Sequence, residues 1–555
     1  MRTGGQLLAE QLVIHGTELA FCVPGESYLP LLDGLYDHRD ALRVVTCRHE
    51  AAAANAAEAT GKLSGRPGVC MVTRGPGATH AAVGVHTARQ DSTPMVLLIG
   101  QVARGHRGRD AFQEVEFEQM FGPLAKAVIE IDDPDRIPEL IAYAFTEATS
   151  GRAGPVAVSL PEDVLSSLSD AADAEPYVAR EPATDPRDIA ALRDVLEAAE
   201  RPFVLVGGGP WNAEACARLA DWAGACRLPV GAAFRRQDVL DNQHEGYAGD
   251  VGLGINPRLA RRIADADVLI ALGPRMSEVE TQGYTLPAPP VPTQTLVHIH
   301  PDSHELGRVY QPRLGILSGV RGFTAAADAI GRVSGERWAE WTAAARADYE
   351  AWSNPEPRSG DGVDLRAVVG RLREELPDEA IVCSGAGNYT VWVHRFFRYR
   401  RWGTQLAPQS GAMGYGIPAA LAAQLLRPGT PVIAFAGDGD FQMCGQELAT
   451  MVQEGLPIVV LVVNNGMFGT IRMHQERRFP ERVIATNLVN PDFAALARAY
   501  GAHGDRVERT EEFPDAFARA RAAGGPALIE LITDPEALTP GASLSQTRAR
   551  AKGAR

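Results

Sequence analysis

The sequence predicts an α/β protein made of three doubly wound parallel-sheet domains. Short apolar runs of strand length alternate with helical patterns along the chain, as expected for βαβ units on parallel sheets. A chain of 555 residues is too long for one core and suggests domains on the order of 100 to 200 residues each. Two polar, proline-bearing segments, 170–187 and 354–363, interrupt the alternation and indicate linkers.

These interruptions place the domains at 1–170, 185–340 and 360–540. The apolar runs that predict strands are 42–47, 69–73, 95–99, 156–160, 203–206, 268–272, 296–299, 381–383, 431–436, 458–463 and 527–532. An alanine-rich stretch, 51–59, predicts a helix. The charged end of the chain, with Arg548, Arg550, Lys552 and Arg555, is expected to be disordered.

Composition narrows the class of protein. The formal net charge of −15 argues against polyanion binding, so no nucleic-acid partner is expected. No signal-peptide core opens the chain and no apolar run reaches membrane-spanning length, so no membrane association is expected. The seven cysteines are scattered and include no CxxC pair; together these features predict a reduced, cytoplasmic compartment.

Two strand ends carry the first chemical signal. Gly437, Asp438 and Gly439 follow the run 431–436, and Asn464 and Asn465 follow the run 458–463, with room between them for one crossover helix. A carboxylate and an amide at neighbouring strand ends can hold a small hard cation, whose other ligands are phosphate oxygens and water. The alternative is that Gly-Asp-Gly is only a turn after a buried strand.

Further motifs, in a fixed order, extend this signal over nearly the whole chain. They are Val23-Pro24-Gly25, His49-Glu50, the TRGPGAT run 73–79, the DAFQE run 110–114, the MGYGIPAA run 413–420 and the NNGMFG run 464–469. By their order and spacing the chain resembles the thiamine-diphosphate enzyme superfamily, in its acetohydroxyacid synthase (acetolactate synthase catalytic subunit) branch.

The resemblance implies a pyrimidine-binding, a central and a diphosphate-binding domain that use thiamine diphosphate and Mg²⁺. Asp438, Asn465 and the carbonyl of Met467 would hold the metal ion. The residues implied to approach the cofactor are Pro24, Gly25, Glu50, Gly387, Asn388, Met413, Gly437, Gly439, Asn465 and Met467. The family often has Gln and His where this chain has Asn388 and Tyr389.

Two of these residues have defined roles in the family. Glu50 would hydrogen-bond the aminopyrimidine ring and favour the imino tautomer; the alternative is a surface acid that compensates a helix dipole. Met413 would wedge beneath the cofactor and bend it; the alternative is a Met that fills a core gap. His49 is open to a simpler interpretation, as a helix-start residue bonded to backbone.

The implied reaction is decarboxylation of a 2-oxoacid of the pyruvate type, followed by joining of the remaining acyl unit to a second carbonyl. Phe112, Gln113 and Lys126 match family residues around the substrate pocket. Structurally, Phe112 could be a core residue and Lys126 a solvated surface charge. Thiamine enzymes of the decarboxylase type use two adjacent histidines, and the sequence has no such pair.

Two departures leave the acceptor open. Val279 stands where the family has an arginine that grips the carboxylate of the second 2-oxoacid, and His474 stands where it has a tryptophan; Arg275 or Arg472 could substitute. The alternatives are an aldehyde acceptor, a 2-oxoacid decarboxylase, a flavin-linked oxidase or a silent cofactor-binding homologue. Retention of Glu50, Asp438 and Asn465 argues against a silent protein.

FAD and the assembly state also stay open at this level. The turn Gly207-Gly208-Gly209, the Gly252-Leu253-Gly254 run and the segment 298–302 lie where the family touches FAD, but with altered residues, and a lone glycine cluster is weak evidence. The resemblance implies active sites shared between two subunits, and therefore a homodimer or a homotetramer. Whether a regulatory subunit binds is undetermined.

Overall fold

The computed structural model describes residues 1–331, 333–354, 356 and 362–553. Three six-stranded sheets, in which all neighbouring strands are parallel, carry interleaved helices. They form the three α/β domains that the strand pattern predicts. Parallel sheets need helical cover on both faces, and their strands are accordingly buried along most of their length.

The first sheet has the strand order β3-β2-β4-β5-β7-β6. Its strands are β2 (Leu19–Cys22), β3 (Arg43–Thr46), β4 (Gly68–Val72), β5 (Met95–Gln101), β6 (Ala127–Glu130) and β7 (Pro155–Pro161); β1 (Arg2–Thr3) and β8 (Leu168–Ser169) form a separate antiparallel pair. The helices are α1 (Gly4–Ile14), α2 (Leu29–Tyr36), α3 (Glu50–Ser64), α4 (Pro76–Asp91), α5 (Phe117–Phe121), α6 (Ile137–Thr149) and α7 (Glu162–Ser166).

The central sheet has the order β11-β10-β9-β12-β13-β14. Its strands are β9 (Pro202–Val206), β10 (Val230–Ala233), β11 (Tyr247–Val251), β12 (Val268–Leu272), β13 (Thr295–His300) and β14 (Leu314–Leu317). The helices are α8 (Pro186–Ala198), α9 (Ala213–Ala225), α10 (Pro257–Asp265), α11 (Val320–Ala326) and α12 (Ala339–Trp352).

The third sheet has the order β16-β15-β17-β18-β20-β19. Its strands are β15 (Ile381–Ser384), β16 (Gln405–Leu406), β17 (Val432–Gly437), β18 (Val459–Asn464), β19 (His503–Val507) and β20 (Ala527–Ile532). The helices are α13 (Leu365–Glu375), α14 (Tyr389–Phe396), α15 (Gly416–Leu426), α16 (Asp438–Cys444), α17 (Leu448–Glu454), α18 (Gly469–Arg478), α19 (Phe493–Ala499), α20 (Phe513–Ala522) and α21 (Leu544–Gly553).

In each sheet, two neighbouring inner strands are followed by connections that lead in opposite directions across the sheet, which defines a switch point. These switch points lie between β2 and β4, between β9 and β12, and between β15 and β17. In open α/β sheets, ligands bind beyond the carboxyl ends of the two strands that flank the switch point. The motifs 23–25 and 73–79 follow β2 and β4, the turn 385–388 follows β15, and the segment 437–439 spans the end of β17 and the start of α16. The predicted cofactor residues therefore lie where the topology favours a ligand.

Every apolar run predicted as a strand coincides with a strand, and the predicted helix 51–59 lies inside α3. The segment between Gly439 and Asn464, which has room for one crossover helix, contains most of α16, a 3-10 turn and the short helix α17, and α16 already begins at Asp438. The prediction of a disordered tail is wrong over α21, which Arg548 anchors through a 2.7 Å hydrogen bond to Glu476. Arg555 lies outside the described residues.

The predicted first linker, 170–187, carries neither helix nor strand up to residue 185, and α8 begins at Pro186. Most of the second, 354–363, lies outside the described residues, including Pro355 and Pro357. By contact density the chain divides into two compact units. One consists of Met1–Arg180, Pro408–Leu426 and Cys444–Glu454; the other consists of Glu181–Ala407, Arg427–Met443 and the chain from Gly455 onward. None of the described helices has the length and apolarity of a membrane span.

The second compact unit contains a buried histidine, His394. Both ring nitrogens of His394 are without a hydrogen-bond partner among the described residues, beside a cavity of about 20 Å³ that Asp250 and Tyr349 also line. Burial lowers the pKa of His394 to about 3, with a further contribution from the charge of Arg235. The same cause, burial, raises the pKa of Asp250 to about 8. The ring of His394 is therefore neutral in the folded protein.

This histidine predicts a loss of stability in acid. The unfolded chain binds a proton on His394 below a pH of about 6.5 while the folded chain does not, so the contribution of His394 to folding stability falls as the pH decreases, by about 1.4 kcal/mol per pH unit down to the folded pKa. The raised pKa of Asp250 acts in the opposite direction over the same range, so the test is the difference between two proteins: between pH 6.5 and pH 5, His394→Phe should gain stability relative to wild type. Equal pH slopes for the two proteins in differential scanning fluorimetry would contradict this account.

Candidate active site

The switch point of the first sheet brings the motif Val23-Pro24-Gly25 against the end of β4. A Cβ atom on Gly25 would collide with the side chain of Thr73, so glycine is required by this close approach. Thr73 Oγ1 and Ser27 Oγ lie 2.8 Å apart and join the two strand ends. Pro24 is exposed at the rim. A cofactor contact by Pro24 and Gly25 stays a prediction.

Helix α3 begins at Glu50, and its first turn is held by two side chains. The Nδ1 atom of His49 accepts a hydrogen bond from the Ala51 N–H at 3.1 Å, so His49 is the helix cap that the simpler interpretation expected. Glu447 Oε1 accepts the backbone N–H groups of Arg48 and His49 at 2.9 and 3.1 Å. Burial raises the pKa of Glu447. Sequence reasoning missed Glu447, because its partner is almost 400 residues away.

Glu50 is directed into the space beside this cap. His80, on α4, lies with its Nδ1 atom 2.9 Å from Glu50 Oε2. The other carboxylate oxygen, Oε1, accepts no hydrogen bond from the described residues, and the Glu50 side chain is 13% exposed. An acid with one oxygen held and the other available fits the predicted contact with a ring nitrogen of a cofactor. It does not fit the alternative of a solvated acid at a helix start.

The rings of His49 and His80 pack together next to Glu50, with centroids 4.6 Å apart. Burial lowers the pKa of His49, and the neighbouring His80 lowers it further. The sequence contains no adjacent histidine pair, yet the fold assembles one from residues 31 positions apart. A separation of that kind gives no local sequence signal.

The loop 108–114 lies beside the start of α4. Gln113 has a left-handed φ of +65°, and its carbonyl would lie 2.7 Å from a Cβ on Gly75. Glu114 accepts backbone N–H groups of Gly108 and Ala111, at 2.6 and 2.9 Å, and closes the loop. Phe112 is 73% exposed, so the alternative that it is a core residue is wrong.

The ammonium group of Lys126 is bound at the carboxyl end of helix α6 and not in the loop 108–114. It donates to the carbonyls of Glu147 (2.6 Å) and Ser150 and to Ser150 Oγ (3.2 Å), at the carboxyl end of α6. A cation at this end of a helix compensates the dipole. The alternative of a solvated surface charge is therefore wrong, and a role for Lys126 in catalysis stays a prediction.

A buried ionic cluster connects α3 and α4. The ammonium group of Lys62 lies 3.3 Å from Glu58 Oε1 and also pairs with Asp91, and all three side chains are almost completely buried. Burial raises the pKa of Glu58, and the charge of Lys62 opposes this shift. Thr93 donates to Glu58 Oε1 at 2.6 Å. Within this cluster Lys62 lies against both buried carboxylates.

The same cluster anchors the loop that carries Met413. Tyr415 donates its hydroxyl hydrogen to Glu58 Oε2, and the backbone N–H of Gln409 donates to Asp91 Oδ1 at 2.7 Å. Met413 is half-buried in a turn immediately before α15. This anchored turn, rather than a packed core position, is where the structure places the predicted wedge residue.

Removal of the cation is expected to destabilise this unit strongly. Lys62→Met removes the cation that pairs with both buried carboxylates; breaking a buried pair in this way typically costs about 3 to 5 kcal/mol and lowers the thermal midpoint by about 10 °C. The matched control is Arg193→Met, which breaks an exposed pair with Glu197 worth about 0 to 1 kcal/mol. Equal midpoints for the two variants in calorimetry would show that the buried cluster contributes no stability.

In the third domain, Asp438 follows β17 and is 3% exposed. Its Oδ1 atom accepts the Gly439 N–H at 2.9 Å, and its Oδ2 atom accepts the Gly466 N–H at 2.9 Å and the amide of Asn490 at 2.7 Å. Burial raises its pKa against these hydrogen bonds. No cationic side chain among the described residues pairs with it. A buried carboxylate with neutral donors and no cation fits a metal ligand.

The two asparagines after β18 differ in what they do. Asn464 accepts from Asn490 at 2.9 Å and donates to the buried Glu530 at 2.7 Å, so it is a structural link. Asn465 Oδ1 accepts the Met467 N–H at 3.1 Å and closes its own turn. Asn465 and Met467 lie in one turn with Gly466, and their role as metal ligands stays a prediction. The structure also identifies Asn490, which no sequence motif indicated.

Tyr389 connects the turn that follows β15 to the segment 437–440 at the end of β17. Its hydroxyl donates to Asp440 Oδ2 at 2.5 Å and accepts the Gly385 N–H at 2.9 Å, and the same Asp440 oxygen accepts the Gly437 N–H at 3.3 Å. A Cβ on Gly385 would collide with the Asp440 carboxylate. Tyr389 thereby fixes the two strand ends that flank the switch point.

The remaining predicted residues of this turn are bound locally. Gly387 accepts at its carbonyl from Thr390 Oγ1 at 2.8 Å, and Asn388 Oδ1 accepts from Thr470 at 3.0 Å. Asn388 connects the turn to α18, whose first residue is Gly469. A diphosphate contact by Gly387 and Asn388 stays a prediction.

The central domain supplies a packing reason for its glycine-rich turn. A Cβ on Gly208 would collide with the carbonyl of Gly273, and one on Gly273 would collide with the carbonyl of Gly207. Trp211 also donates to the Gly207 carbonyl at 2.8 Å. The turns after β9 and β12 therefore pack backbone against backbone, and their glycines give no argument for a flavin.

The histidines of the segment 298–302 are likewise committed to the backbone. His298 Nε2 lies 3.0 Å from the Pro274 carbonyl, and His300 Nδ1 accepts the Asp302 N–H at 3.1 Å. Burial lowers the pKa of both rings, that of His300 to about 4. Because both rings are bonded to the backbone in this way, they stabilise the central domain.

The two departures from the family pattern lie at partly accessible positions. Val279 is half-buried, and His474 is exposed on α18, where partial burial and the charges of Arg477 and Arg478 lower its pKa. Arg472 is one possible substitute for the arginine that Val279 replaces. Its side chain donates to Thr486 Oγ1 at 3.1 Å.

Comparison with known families agrees with the three sheets. Residues 2–120 match the description "Thiamine pyrophosphate enzyme, N-terminal TPP binding domain", residues 189–327 match its central domain, and residues 385–531 match its C-terminal TPP binding domain. The three matches contain the segments at the carboxyl ends of the strands that flank the three switch points.

Relatives extend the likeness over the full length. The chain is 33% identical to an acetolactate synthase large subunit of Mycobacterium tuberculosis over 96% of its own length and 88% of the relative. It is 30% identical to the isozyme 2 large subunit of Escherichia coli, with 98% of each chain covered. It is 31% identical to a probable acetolactate synthase large subunit of Methanocaldococcus jannaschii over 97% of this chain and 93% of that one.

Proposed function

Because the chain belongs to the thiamine pyrophosphate enzyme family and is an acetolactate-synthase-like enzyme dependent on this cofactor, we propose a specific reaction for it. The enzyme decarboxylates a 2-oxoacid of the pyruvate type, with Mg²⁺ as second cofactor, and joins the remaining acyl unit to a second carbonyl compound. The observation that carries the proposal is the pair of carboxylates, Glu50 and Asp438, each at a sheet switch point and each available for a ligand.

Bound thiamine diphosphate supplies the nucleophilic carbon and the electron sink for decarboxylation. The chain's own residues bind and orient it. Glu50 would present its available oxygen to the aminopyrimidine ring and hold a proton there. Asp438, Asn465 and the Met467 carbonyl would hold Mg²⁺, a cation that prefers hard oxygen ligands. Met413, on its anchored turn, would lie against the bound cofactor and orient it.

The acceptor is the point at which this chain departs from its relatives' family pattern. A bidentate arginine is the usual device for a carboxylate, and the apolar Val279 cannot replace it. An aldehyde acceptor is therefore the second candidate. The relatives are acetolactate synthases by name, which favours a second 2-oxoacid as the first candidate acceptor.

Product analysis separates the two candidates. Purified protein is incubated with thiamine diphosphate, Mg²⁺ and pyruvate, with and without an added aldehyde, and products are identified by mass spectrometry. Acetolactate from pyruvate alone supports the first candidate, and a product that forms only with aldehyde supports the second. In the second case Val279→Arg should increase the yield of acetolactate. Absence of carbon dioxide release from pyruvate and from longer 2-oxoacids would refute the proposed reaction.

We also propose that two copies of the chain build each active site. Five exposed large apolar side chains fall in the segments that follow β17 and β18, which carry Asp438 and Asn465: Met443, Ile471, Phe479, Ile484 and Val489. Such a group of exposed apolar side chains is typical of a surface that another chain covers. A homodimer is the smallest assembly that satisfies this arrangement, and a homotetramer satisfies it equally.

Subunit mixing tests the shared site. Glu50→Gln and Asp438→Asn chains, co-expressed with different tags, are each expected to be inactive alone. If every site takes Glu50 from one chain and Asp438 from its partner, a statistical mixture of dimers regains about a quarter of wild-type activity. If each site is built within one chain, the mixture stays inactive.

A further inference from the structure

The contact between His80 and Glu50 is the strongest feature that the proposed reaction does not use. His80 Nδ1 lies 2.9 Å from Glu50 Oε2, and a carboxylate oxygen at that distance forms a full hydrogen bond with an imidazole nitrogen. The two residues come from the first turns of α3 and α4. The bond therefore joins the two helices whose starts lie beside the switch point of the first sheet.

We propose that His80 is the positioning partner of Glu50, and that it exchanges a proton with the carboxylate. This inference rests on the proposed role of Glu50 toward the aminopyrimidine ring. With Oε2 held by His80, the carboxylate cannot rotate freely, and Oε1 is the oxygen presented to a ligand. When Glu50 carries a proton, Oε2 can pass it to Nδ1; when it does not, the Nδ1–H group stabilises the anion.

No other described group does the same for Glu50. His49 packs against the His80 ring, but its Nδ1 atom is bonded to the Ala51 N–H. Tyr28 donates its hydroxyl to the Val23 carbonyl at 2.6 Å. Cys70 is fully buried, and burial followed by the charges of Cys22 and Glu50 raises its pKa, so it stays a neutral thiol. His80 is the titratable group that bonds the carboxylate.

Three substitutions distinguish this role from simple packing. Asparagine places its amide nitrogen near the position of Nδ1, glutamine places it near that of Nε2, and leucine has no donor. His80→Asn should therefore retain function, while His80→Gln and His80→Leu should lose it. His80 is half exposed, so all three variants are expected to fold, which circular dichroism and thermal midpoints verify.

The primary readout needs no substrate. Each variant is saturated with thiamine diphosphate and Mg²⁺, and the exchange of the thiazolium proton for deuterium is followed by quenched-flow NMR. Exchange in His80→Leu and His80→Gln should slow about tenfold or more, as for loss of an outer partner of a reacting group, and His80→Asn should stay within about threefold of wild type. Cofactor affinity, measured by fluorescence quenching in the same samples, should change less than the exchange rate.

Two results would overturn the proposal. Wild-type exchange rates in all three variants would show that Glu50 needs no partner, and an asparagine variant as slow as the leucine variant would assign His80 to packing alone. Because the exchange occurs without a 2-oxoacid, these results are independent of whether the enzyme makes acetolactate.

Discussion

Replacement of Glu50 by glutamine is expected to lower kcat about 100-fold to 10,000-fold, the usual contribution of a positioned acid or base. Glutamine keeps the size of the side chain but cannot carry a proton between its oxygen and the cofactor ring. The KM for pyruvate should change little, because Glu50 is proposed to act on the cofactor and not on the substrate. Steady-state kinetics at saturating thiamine diphosphate and Mg²⁺ measure both values.

The matched control is Glu214→Gln, which removes an exposed acid from the first turn of α9. Loss of a dipole-compensating charge costs about 0.3 to 1 kcal/mol of stability and no activity. If Glu50 were only such a residue, the two variants would behave alike. Wild-type kcat in Glu50→Gln would therefore remove the assignment on which the proposed function depends.

Replacement of Asp438 by asparagine is expected to weaken the joint binding of Mg²⁺ and thiamine diphosphate by about 100-fold. The substitution removes the anionic ligand that a hard divalent cation requires. It also turns an N–H₂ group toward donors, the Gly466 N–H and the Asn490 amide, which the carboxylate now accepts. Calorimetric titration of the cofactor into apoprotein at fixed Mg²⁺ gives the affinity.

A milder substitution at the same site serves as the control. Asn490→Ala removes one donor from Asp438 but leaves the charge, so binding should weaken only a few-fold, by about 1 kcal/mol. Chelation of Mg²⁺ in wild type should reproduce the loss seen in Asp438→Asn. Unchanged cofactor affinity in Asp438→Asn, or a larger loss in Asn490→Ala, would place the metal elsewhere.

The strands were predictable because parallel strands buried on both faces read as continuous apolar runs, independent of their surroundings. The start of α3 was predictable for a similar reason, since His49, Glu50 and the alanines that follow act within one helical turn. The predictions from sequence were wrong where a residue is bound by a partner that lies far from it in the chain. The charged tail forms α21, in which Arg548 donates a hydrogen bond to Glu476. Lys126 is not solvated because carbonyl oxygens at the end of α6 accept hydrogen bonds from it.

The sequence by itself determined the fold class, the cofactor family and the two carboxylates, because these depend on short motifs whose residues act through neighbours in the chain. Only the tertiary structure decided what surrounds those carboxylates. His80 meets Glu50, Glu447 holds the start of α3, and Tyr389 meets Asp440. Each of these contacts joins separate elements of the fold, and hydrogen bonding, unlike apolar periodicity, leaves no repeating pattern in the chain by which such partners could be found.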